Sequence, residues 1–394
     1  MEAQTKQKET DEPSEFYKFA NDPNSLSYRL AVQYGVDPRT YVNWRWQMNH
    51  QLRSKKDFER FCKLEFAESR SFAAIKDLFN AGVTPYYAGL IPEFPGHQGI
   101  RLQAIPRLEE ISDLKGLNDP LEEVAHSPVR EVVHVYPDRV AFCVAMLCPV
   151  YCRYCYRKRR DDEEGLHFNR SIVERGISYI ASNPSIKDVL ITGGDPFIAS
   201  DQAIDRLLAK ISEIPHVEII RFGTRTPVTL PYRVTSKLAM ILKKYHPVWV
   251  NTHFNCAEEL TPEACMAISN LVDHGIPVGN QSVLLKGVND TEQKMQDLCR
   301  SLIRNRVRPY YVFHAHMVAG TAHLRVPISR GIEIMKSLRG NISGYGIPNY
   351  ILDTPSGKVP IGHNHVLGQD GHDLIIEDLR GEIWRETDAM KPSN

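Results

Sequence analysis

The chain has 394 residues, of which 42% are hydrophobic and 24% are charged, which is ordinary for a globular protein with room for several domains of about 150 residues each. Its 48 basic and 48 acidic residues balance, so composition gives no sign of a nucleic-acid-binding or membrane-binding surface over the whole protein. The eight cysteines do not form the disulfide framework of a small secreted protein, no apolar run approaches the roughly 18 residues of a membrane span, and the N-terminus lacks the apolar core of a signal peptide. We therefore expect a cytoplasmic protein.

The N-terminal third predicts helices after a polar start. Residues 1–25 are polar and predict a disordered tail. Residues 26–135 predict a mainly helical region, because apolar residues recur at helical spacing in stretches such as 56–64. The last part of the chain, 341–394, predicts short β-like pieces around Lys358 and then a polar tail.

The middle of the chain, 136–340, alternates between short β-rich runs and helical stretches. The predicted strands are 140–147, 187–192, 217–222, 247–252, 277–285 and 307–313, and the predicted helices are 170–183, 201–213, 232–244, 261–274, 291–304 and 328–338. This alternation indicates a parallel sheet covered by helices. The fold class is therefore predicted as α/β, with a partial (β/α)6 TIM-like barrel, in which the chemistry gathers at the C-terminal ends of the strands.

Three cysteines carry the clearest chemical signal. Cys148, Cys152 and Cys155 have the spacing C-x3-C-x2-C and directly follow a predicted strand. Four thiolates would close a [4Fe–4S] cluster, so three leave one iron open, as a catalytic metal site requires. A zinc site would need a fourth Cys or His at finger spacing, and Cys143 lies in an apolar stretch that predicts a buried strand instead. The loop therefore predicts a [4Fe–4S] cluster like that of radical SAM enzymes, whose open iron binds S-adenosylmethionine.

Other polar groups follow the predicted strands and complete a binding site for S-adenosylmethionine. Gly193 and Gly194 would let the backbone approach a ligand closely, and Gly193-Gly194-Asp195 would hold the amino group of the methionine part. A Gly-Gly-Asp alone is more often only a turn, but here it comes one β/α unit after the cysteines. Tyr154, between the second and third cysteines, would lie on the adenine, with a packed loop aromatic as the alternative. Two further cofactor-binding residues are expected at strand ends: His253 and Gln281.

Taken together, these motifs resemble the lysine 2,3-aminomutase family of radical SAM and pyridoxal-phosphate enzymes. The similarity runs from about Trp44 to about Trp384. It includes Thr84-Pro-Tyr-Tyr87, Gln103-Ala-Ile-Pro106, the cysteine run, Thr192-Gly-Gly-Asp195, Arg225-Thr-Pro-Val228, Asn251-Thr-His-Phe-Asn255 and Arg306-Val-Arg-Pro-Tyr-Tyr311. The resemblance implies an isomerase that uses a [4Fe–4S] cluster, S-adenosylmethionine and pyridoxal 5'-phosphate to move the α-amino group of an amino acid to its β-carbon. It also implies an electron donor such as flavodoxin or ferredoxin, and a homo-oligomer, with no nucleic-acid or membrane partner.

The resemblance also assigns roles to single residues. Lys358 matches the lysine that forms a Schiff base with pyridoxal phosphate, although the loop before it is shorter than is typical of the family. Arg139 is a candidate for the pyridoxal-phosphate pocket. Arg157 matches the arginine that pairs with the substrate carboxylate, where a planar fork suits two oxygens. Lys158 departs from the family, which more often has a second arginine at that position.

The far end of the substrate is the open question. Asp353 matches one of the two aspartates with which lysine-specific members hold the ε-ammonium, but His316 occupies the position of the other. This pair fits neither the lysine pattern nor the glutamate pattern. We expect a lysine-like amino acid, with glutamate or another amino acid, a protein-bound lysine, or a non-catalytic iron or zinc protein as alternatives. The His363-x-His365 pair could suggest a metal, but two histidines in a turn are usually not ligands.

Overall fold

The computed structural model describes residues 14–75, 79–93, 98–113, 115–158, 170–371 and 373–387. Eight short helices come first in this part of the chain: α1 (Tyr17–Ala20), α2 (Leu26–Tyr34), α3 (Pro38–Tyr41), α4 (Trp44–Asn49), α5 (Lys55–Glu59), α6 (Phe66–Ile75), α7 (Pro85–Glu93) and α8 (Gln98–Ala104). In the described ranges, no helix is both long and apolar enough to cross a membrane.

The predicted tail over 1–25 is wrong for its described part, residues 14–25. Phe16 is fully buried, and its ring meets that of Tyr232 edge to face at 5.5 Å between centroids. Ser25 then caps α2 by accepting a hydrogen bond from the backbone N–H of Tyr28, an arrangement worth about 1 kcal/mol. One buried aromatic ring and one cap order this polar stretch, and average polarity does not reveal either feature.

A nine-stranded sheet forms the centre of the molecule, and its strands lie in sequence order. The strands are β1 (Val132–Tyr136), β2 (Arg139–Ala145), β3 (Asp188–Gly193), β4 (Ile219–Gly223), β5 (Val248–Thr252), β6 (Val278–Leu284), β7 (Arg308–His314), β8 (Asn349–Thr354) and β9 (Gly357–Pro360). Strands β2 to β8 run parallel, whereas β1 and β9 are antiparallel edges. The six predicted strands are confirmed as β2 to β7, and β8 adds a seventh parallel strand.

Helices cover the outside of this sheet: α9 (Arg170–Ala181), α10 (Asp201–Ser212), α11 (Thr226–Thr229), α12 (Ser236–Lys243), α13 (Pro262–Asp273), α14 (Glu292–Arg304) and α15 (Ile328–Leu338). Four of them start at a hydroxyl residue whose side chain accepts a backbone hydrogen bond from the first turn, namely Ser200, Thr235, Thr261 and Thr291. These caps fix where each loop after a strand ends and the next helix begins. The loops therefore gather at the C-terminal edge of the sheet.

The two antiparallel edges approach each other and nearly close the barrel. The backbone N–H of Lys358 on β9 donates to the hydroxyl of Tyr136 on β1 over 2.7 Å. Beyond β9 the chain forms a separate three-stranded antiparallel sheet of β10 (Val366–Asp370), β11 (Asp373–Glu377) and β12 (Ile383–Thr387). An ion pair between Lys336 of α15 and Glu377 of β11, at 3.2 Å, connects this sheet to the barrel.

Candidate active site

The cysteine loop follows β2 and is fixed by contacts from the N-terminal helical region. The amide of Gln51 donates to the carbonyls of Cys148 and Pro149 at 2.8 and 2.9 Å. The N–H of Cys155 donates to the carbonyl of Cys152, which folds the end of the loop into a turn. All three cysteines are half-buried, and their loop follows the C-terminal end of β2.

The donor set of the cysteine loop fits a cluster better than a structural zinc ion. A structural zinc site is usually closed by four Cys or His ligands, whereas Cys148, Cys152 and Cys155 offer three thiolates in one loop. Three thiolates are what a [4Fe–4S] cluster with one open iron needs.

Arg225 supplies a buried positive charge behind the cysteine loop. Its Nη1 lies 2.8 Å from the sulfur of Cys152, and its Nη2 lies 2.7 Å from the carboxylate of Glu259. Burial would lower the pKa of the guanidinium, but the negative partners around it, Cys152 first, raise its pKa well above the usual value. Arg225 therefore stays charged beside the Cys152 sulfur.

Gly193-Gly194-Asp195 packs directly under the start of the cysteine loop. A Cβ atom on Gly194 would lie 2.3 Å from the carbonyl oxygen of Leu147, and one on Gly193, whose φ is +125°, would lie 2.2 Å from that of Ala145. Both positions therefore require glycine. The carboxylate of Asp195 is buried and accepts hydrogen bonds from the Thr224 hydroxyl and from backbone N–H groups. It therefore positions the loop, and the backbone carbonyls of this segment are the groups that can meet an amine.

Tyr154 and His253 form a buried aromatic pair beside the cysteines. Their rings stack with centroids 5.5 Å apart and planes 15° from parallel. Burial, helped by the charge of Arg225, lowers the pKa of His253 to about 3, so its imidazole is neutral at neutral pH. Its Nε2 is buried without a hydrogen-bond partner in the described residues, which is uncommon for a buried polar atom. Gln281 lies half-buried on β6.

Lys158 does not face a substrate site. Its ammonium donates to the carboxylate of Glu110 at 2.5 Å and to the carbonyl of Gly320 at 3.1 Å, and Arg153 makes two hydrogen bonds to the same carboxylate. Burial and the neighbouring charge of Arg153 lower the pKa of Lys158 to about 8. Burial would raise the pKa of Glu110, but its two cationic partners lower it to about 2. These three side chains hold the cysteine loop against the N-terminal region.

Arg157, the residue expected to bind the substrate carboxylate, is paired with a carboxylate of the protein itself. Its Nε and Nη2 donate to the two oxygens of Glu123 at 3.0 and 2.6 Å. The neighbouring Tyr156 hydroxyl also donates to Glu123, at 3.1 Å, and its ring lies 5.1 Å from that of His316. The end of the cysteine loop therefore contacts the residues expected at the far end of the substrate.

His316, Asp353 and Lys358 meet in one cluster. Nε2 of His316 lies 3.2 Å from one oxygen of Asp353, and Nζ of Lys358 lies 3.2 Å from the other. Burial would raise the pKa of Asp353, but the hydrogen bond from His316 and the charge of Lys358 lower it overall. Asp353 and Lys358 are cross-strand partners in the β8–β9 hairpin, whose loop has only two residues. The short loop noted in the sequence thus places the lysine opposite the aspartate.

Arg139 belongs to the same region. Its guanidinium lies over the ring of Tyr136, 3.7 Å from the centroid, and the hydroxyl of Tyr136 accepts the backbone N–H of Lys358. Gly357, with φ of +125°, has no room for a Cβ beside this hydroxyl. Arg139 and Lys358, the two residues expected to hold pyridoxal phosphate, are therefore connected through one tyrosine.

Sequence reasoning missed the buried acidic partners of this site. Glu110 and Glu259 are the last residues of short 3₁₀ helices, and Glu123 lies in a turn. Acidic residues at such places are mostly solvated, and nothing in the sequence pattern marks these three as buried. Arg225 did have a signal, because it follows a predicted strand within one of the motifs of the resemblance.

Comparison with known proteins gives the same assignment. Residues 144–299 match the family model of the Radical SAM superfamily. The L-lysine 2,3-aminomutase of Clostridium subterminale is 41% identical over 361 residues, which cover 91% of this chain and 87% of that protein. The L-lysine 2,3-aminomutase of Fusobacterium nucleatum is 40% identical, with 93% and 87% covered. The glutamate 2,3-aminomutase of Clostridioides difficile is 35% identical, with 91% and 85% covered. The chain belongs to the lysine 2,3-aminomutase family of radical SAM enzymes.

Proposed function

We propose that this chain is a radical SAM, pyridoxal-phosphate-dependent 2,3-aminomutase, an isomerase that moves the α-amino group of a lysine-like L-α-amino acid to its β-carbon. One observation carries the proposal: side-chain contacts run without a break from the cysteine loop to the candidate cofactor lysine. Tyr156, next to Cys155, contacts His316, which contacts Asp353, which pairs with Lys358. A radical generated at the first end could therefore act on an amino acid held at the other.

The residues of the first half fit the cluster and S-adenosylmethionine. When bound, these groups supply the radical that removes a hydrogen from the β-carbon. Cys148, Cys152 and Cys155 would hold the cluster, and the cation of Arg225 lies beside the Cys152 sulfur. The backbone of 193–195 would hold the amine of S-adenosylmethionine. Tyr154, His253 and Gln281 would contact the rest of that molecule.

The residues of the second half fit pyridoxal phosphate, which when bound holds the migrating amino group. Lys358 would supply the amine that condenses with the aldehyde. One oxygen of Asp353 lies 3.2 Å from its Nζ and orients that amine. Arg139 offers a guanidinium that suits the phosphate.

Arg157 would bind the α-carboxylate of the substrate in competition with Glu123. The Glu123 carboxylate now takes Nε and Nη2, so an incoming carboxylate must displace it or use Nη1. Burial would lower the pKa of this guanidinium, but its anionic neighbours raise the pKa well above the usual value. The side chain therefore remains a cation in either arrangement, and substrate binding would exchange one carboxylate for another.

The proposed substrate preference follows from the charge of Asp353. Burial would raise the pKa of this carboxyl, but His316 and Lys358 lower it overall, so Asp353 is an anion and could accept a cationic side chain. A glutamate side chain would instead meet a like charge. The two lysine-named relatives described above are 40 and 41% identical to this chain, and the glutamate-named relative is 35% identical.

The remaining expectations concern the surroundings of the enzyme. The radical step needs one electron, and we propose flavodoxin or ferredoxin as the donor. A cytoplasmic location suits an oxygen-sensitive cluster. The C-terminal sheet leaves Ile383 and Trp384 about 60% exposed, which supports a homo-oligomer. Light scattering of the anaerobic protein would test the last of these.

A substrate screen tests the proposed function. The anaerobically reconstituted enzyme, with pyridoxal phosphate, S-adenosylmethionine and a reductant, would be offered lysine, glutamate, arginine and neutral amino acids separately. We expect β-lysine from lysine, and neither β-lysine nor cleavage of S-adenosylmethionine by the Cys152→Ala variant. Cleavage without a β-amino acid from any substrate would contradict the aminomutase assignment and direct the search to a protein-bound lysine.

A further inference from the structure

A second group of metal-ligating side chains lies outside the active site, where β9 leads into the C-terminal sheet. His363 and His365 lie in the connection before β10, and Glu377 ends β11. One candidate ligand atom from each residue lies within 4.8 Å of the other two. Two imidazoles and one carboxylate are a frequent ligand set for zinc and related divalent ions, with the remaining position taken by water.

His365 has the hydrogen bonding of a metal-binding histidine. Its Nδ1 lies 2.9 Å from the backbone carbonyl of Glu377, which makes Nδ1 the protonated nitrogen and leaves a lone pair on Nε2. That Nε2 is buried and has no hydrogen-bond partner in the described residues. A histidine that ligates a metal typically donates its other ring N–H to such a carbonyl, and a buried acceptor without a partner otherwise costs about 1–3 kcal/mol.

His363 and Glu377 complete the group. Nε2 of His363 lies 2.5 Å from one oxygen of Glu377, and Lys336 of α15 holds the other oxygen at 3.2 Å. A tetrahedral ion with bonds near 2.1 Å would hold this nitrogen and oxygen about 3.4 Å apart, so they must separate by about 1 Å. Both side chains are partly exposed, which leaves room for this adjustment.

We infer that His363, His365 and Glu377 form a binding site for a divalent transition-metal ion, zinc in the first instance, that fastens the C-terminal sheet to the segment following the cofactor lysine. His363 lies only five positions after Lys358. Glu377 is tied through Lys336 to α15, which packs on the barrel. An ion at this point therefore restrains β9 from its C-terminal side, whereas the Asp353 pairing restrains it from the other.

Metal analysis of the full-length, cluster-loaded protein tests this site. After treatment with a chelating resin, the protein would be titrated with Co²⁺ and then Zn²⁺, with iron counted separately. We expect one equivalent of Co²⁺, seen as d–d absorption without sulfur-to-cobalt charge transfer, and its displacement by Zn²⁺. Repeating the titration in a protein with all three loop cysteines changed to serine removes the thiolates as competing ligands. If the cluster-loaded protein or the serine variant bound neither Co²⁺ nor Zn²⁺, the inference would be overturned.

Two variants and a matched control locate the ion. His363→Gln and His365→Gln should each weaken binding by more than the roughly 10–100-fold that loss of an outer-shell partner costs. His274→Gln is the matched control. Nδ1 of His274 also lies 2.7 Å from a backbone carbonyl, that of Asn270 on α13. This variant should bind the metal like the unmodified chain. Equal binding by all three variants would overturn the assignment.

Hydrogen exchange adds a readout that does not depend on those variants. Zinc should slow exchange of the backbone amides over 361–377 in the unmodified chain. Binding that leaves this segment unchanged would place the ion elsewhere and contradict the inference. Neither measurement uses turnover, so the metal site can fail while the aminomutase activity stands, and the reverse also holds.

Discussion

Replacing Gly194 with alanine should displace the cysteine loop, because the glycine touches backbone that cannot move independently of the cluster. The added Cβ would lie 2.3 Å from the carbonyl oxygen of Leu147 and 2.5 Å from the carbonyl carbon of Met146, whereas real Cβ contacts are essentially never below 3.0 Å. The two segments must therefore separate by about 0.7 Å. Overpacking of this kind costs about 1–3 kcal/mol, and Leu147 directly precedes the first cluster ligand, Cys148.

The assay compares cluster assembly with overall stability. We expect Gly194→Ala to bind well under half of the normal iron and sulfide after anaerobic reconstitution. We also expect its melting temperature to fall by a few degrees, since each kcal/mol of lost stability lowers the melting temperature by roughly 2–4 °C in domains of 150–250 residues. Gly362→Ala is the matched control, because nothing lies within 4 Å of its added Cβ. If Gly194→Ala assembled the cluster as completely as the control, the loop would not depend on this close approach.

Three further predictions test the rest of the site. Lys358→Ala should keep the cluster and cleave S-adenosylmethionine but lose the visible absorbance of lysine-bound pyridoxal phosphate, and an unchanged spectrum would refute its role. Glu110→Gln should cost roughly 3–5 kcal/mol at pH 7, as for a broken buried ion pair. The pKa of Glu110 is lowered from 4.5 to about 2, so the stability that its ionised form contributes is complete above pH 4.5 and is lost towards pH 2. In denaturant unfolding, the difference in free energy of unfolding between the unmodified protein and Glu110→Gln should therefore disappear over that pH range. Glu123→Gln should lower the KM for the amino acid, because a neutral amide competes less well for Arg157; an unchanged or higher KM would show that Glu123 only orients the arginine.

The fold was predictable because its signals repeat along the chain. Each predicted barrel strand lies within two residues of the observed one, since a buried parallel strand is a short apolar run between helices of recognisable period. The helix predicted from residue 232 begins only at Ser236, because Pro231–Arg233 forms a separate 3₁₀ turn and Thr235 caps the helix. Boundaries of this kind depend on a single cap rather than on the pattern.

The ion pairs of the site could not be predicted, because each joins residues that are distant in sequence. Glu110 meets Arg153 and Lys158 across more than 40 positions, and Glu123 meets Arg157 across 34. Only the folded backbone decides whether such a carboxylate is solvated or buried. The cysteines, by contrast, lie in one loop, so their spacing alone indicated the chemistry.

The length of the β8–β9 loop, more than the identity of its residues, determines which side chains face each other across the hairpin. Because only two residues separate the strands, Asp353 and Lys358 are direct cross-strand partners, and side chains so placed interact whether or not a substrate is bound. If Lys358 is the cofactor lysine, its side chain must leave Asp353 to reach the cofactor, so we expect the carboxylate to set where this side chain rests. His316 differs from a second aspartate at this place, since it contacts Asp353 through a hydrogen bond and adds no negative charge. The cluster therefore carries one carboxylate, which we expect to favour a cationic over an anionic side chain.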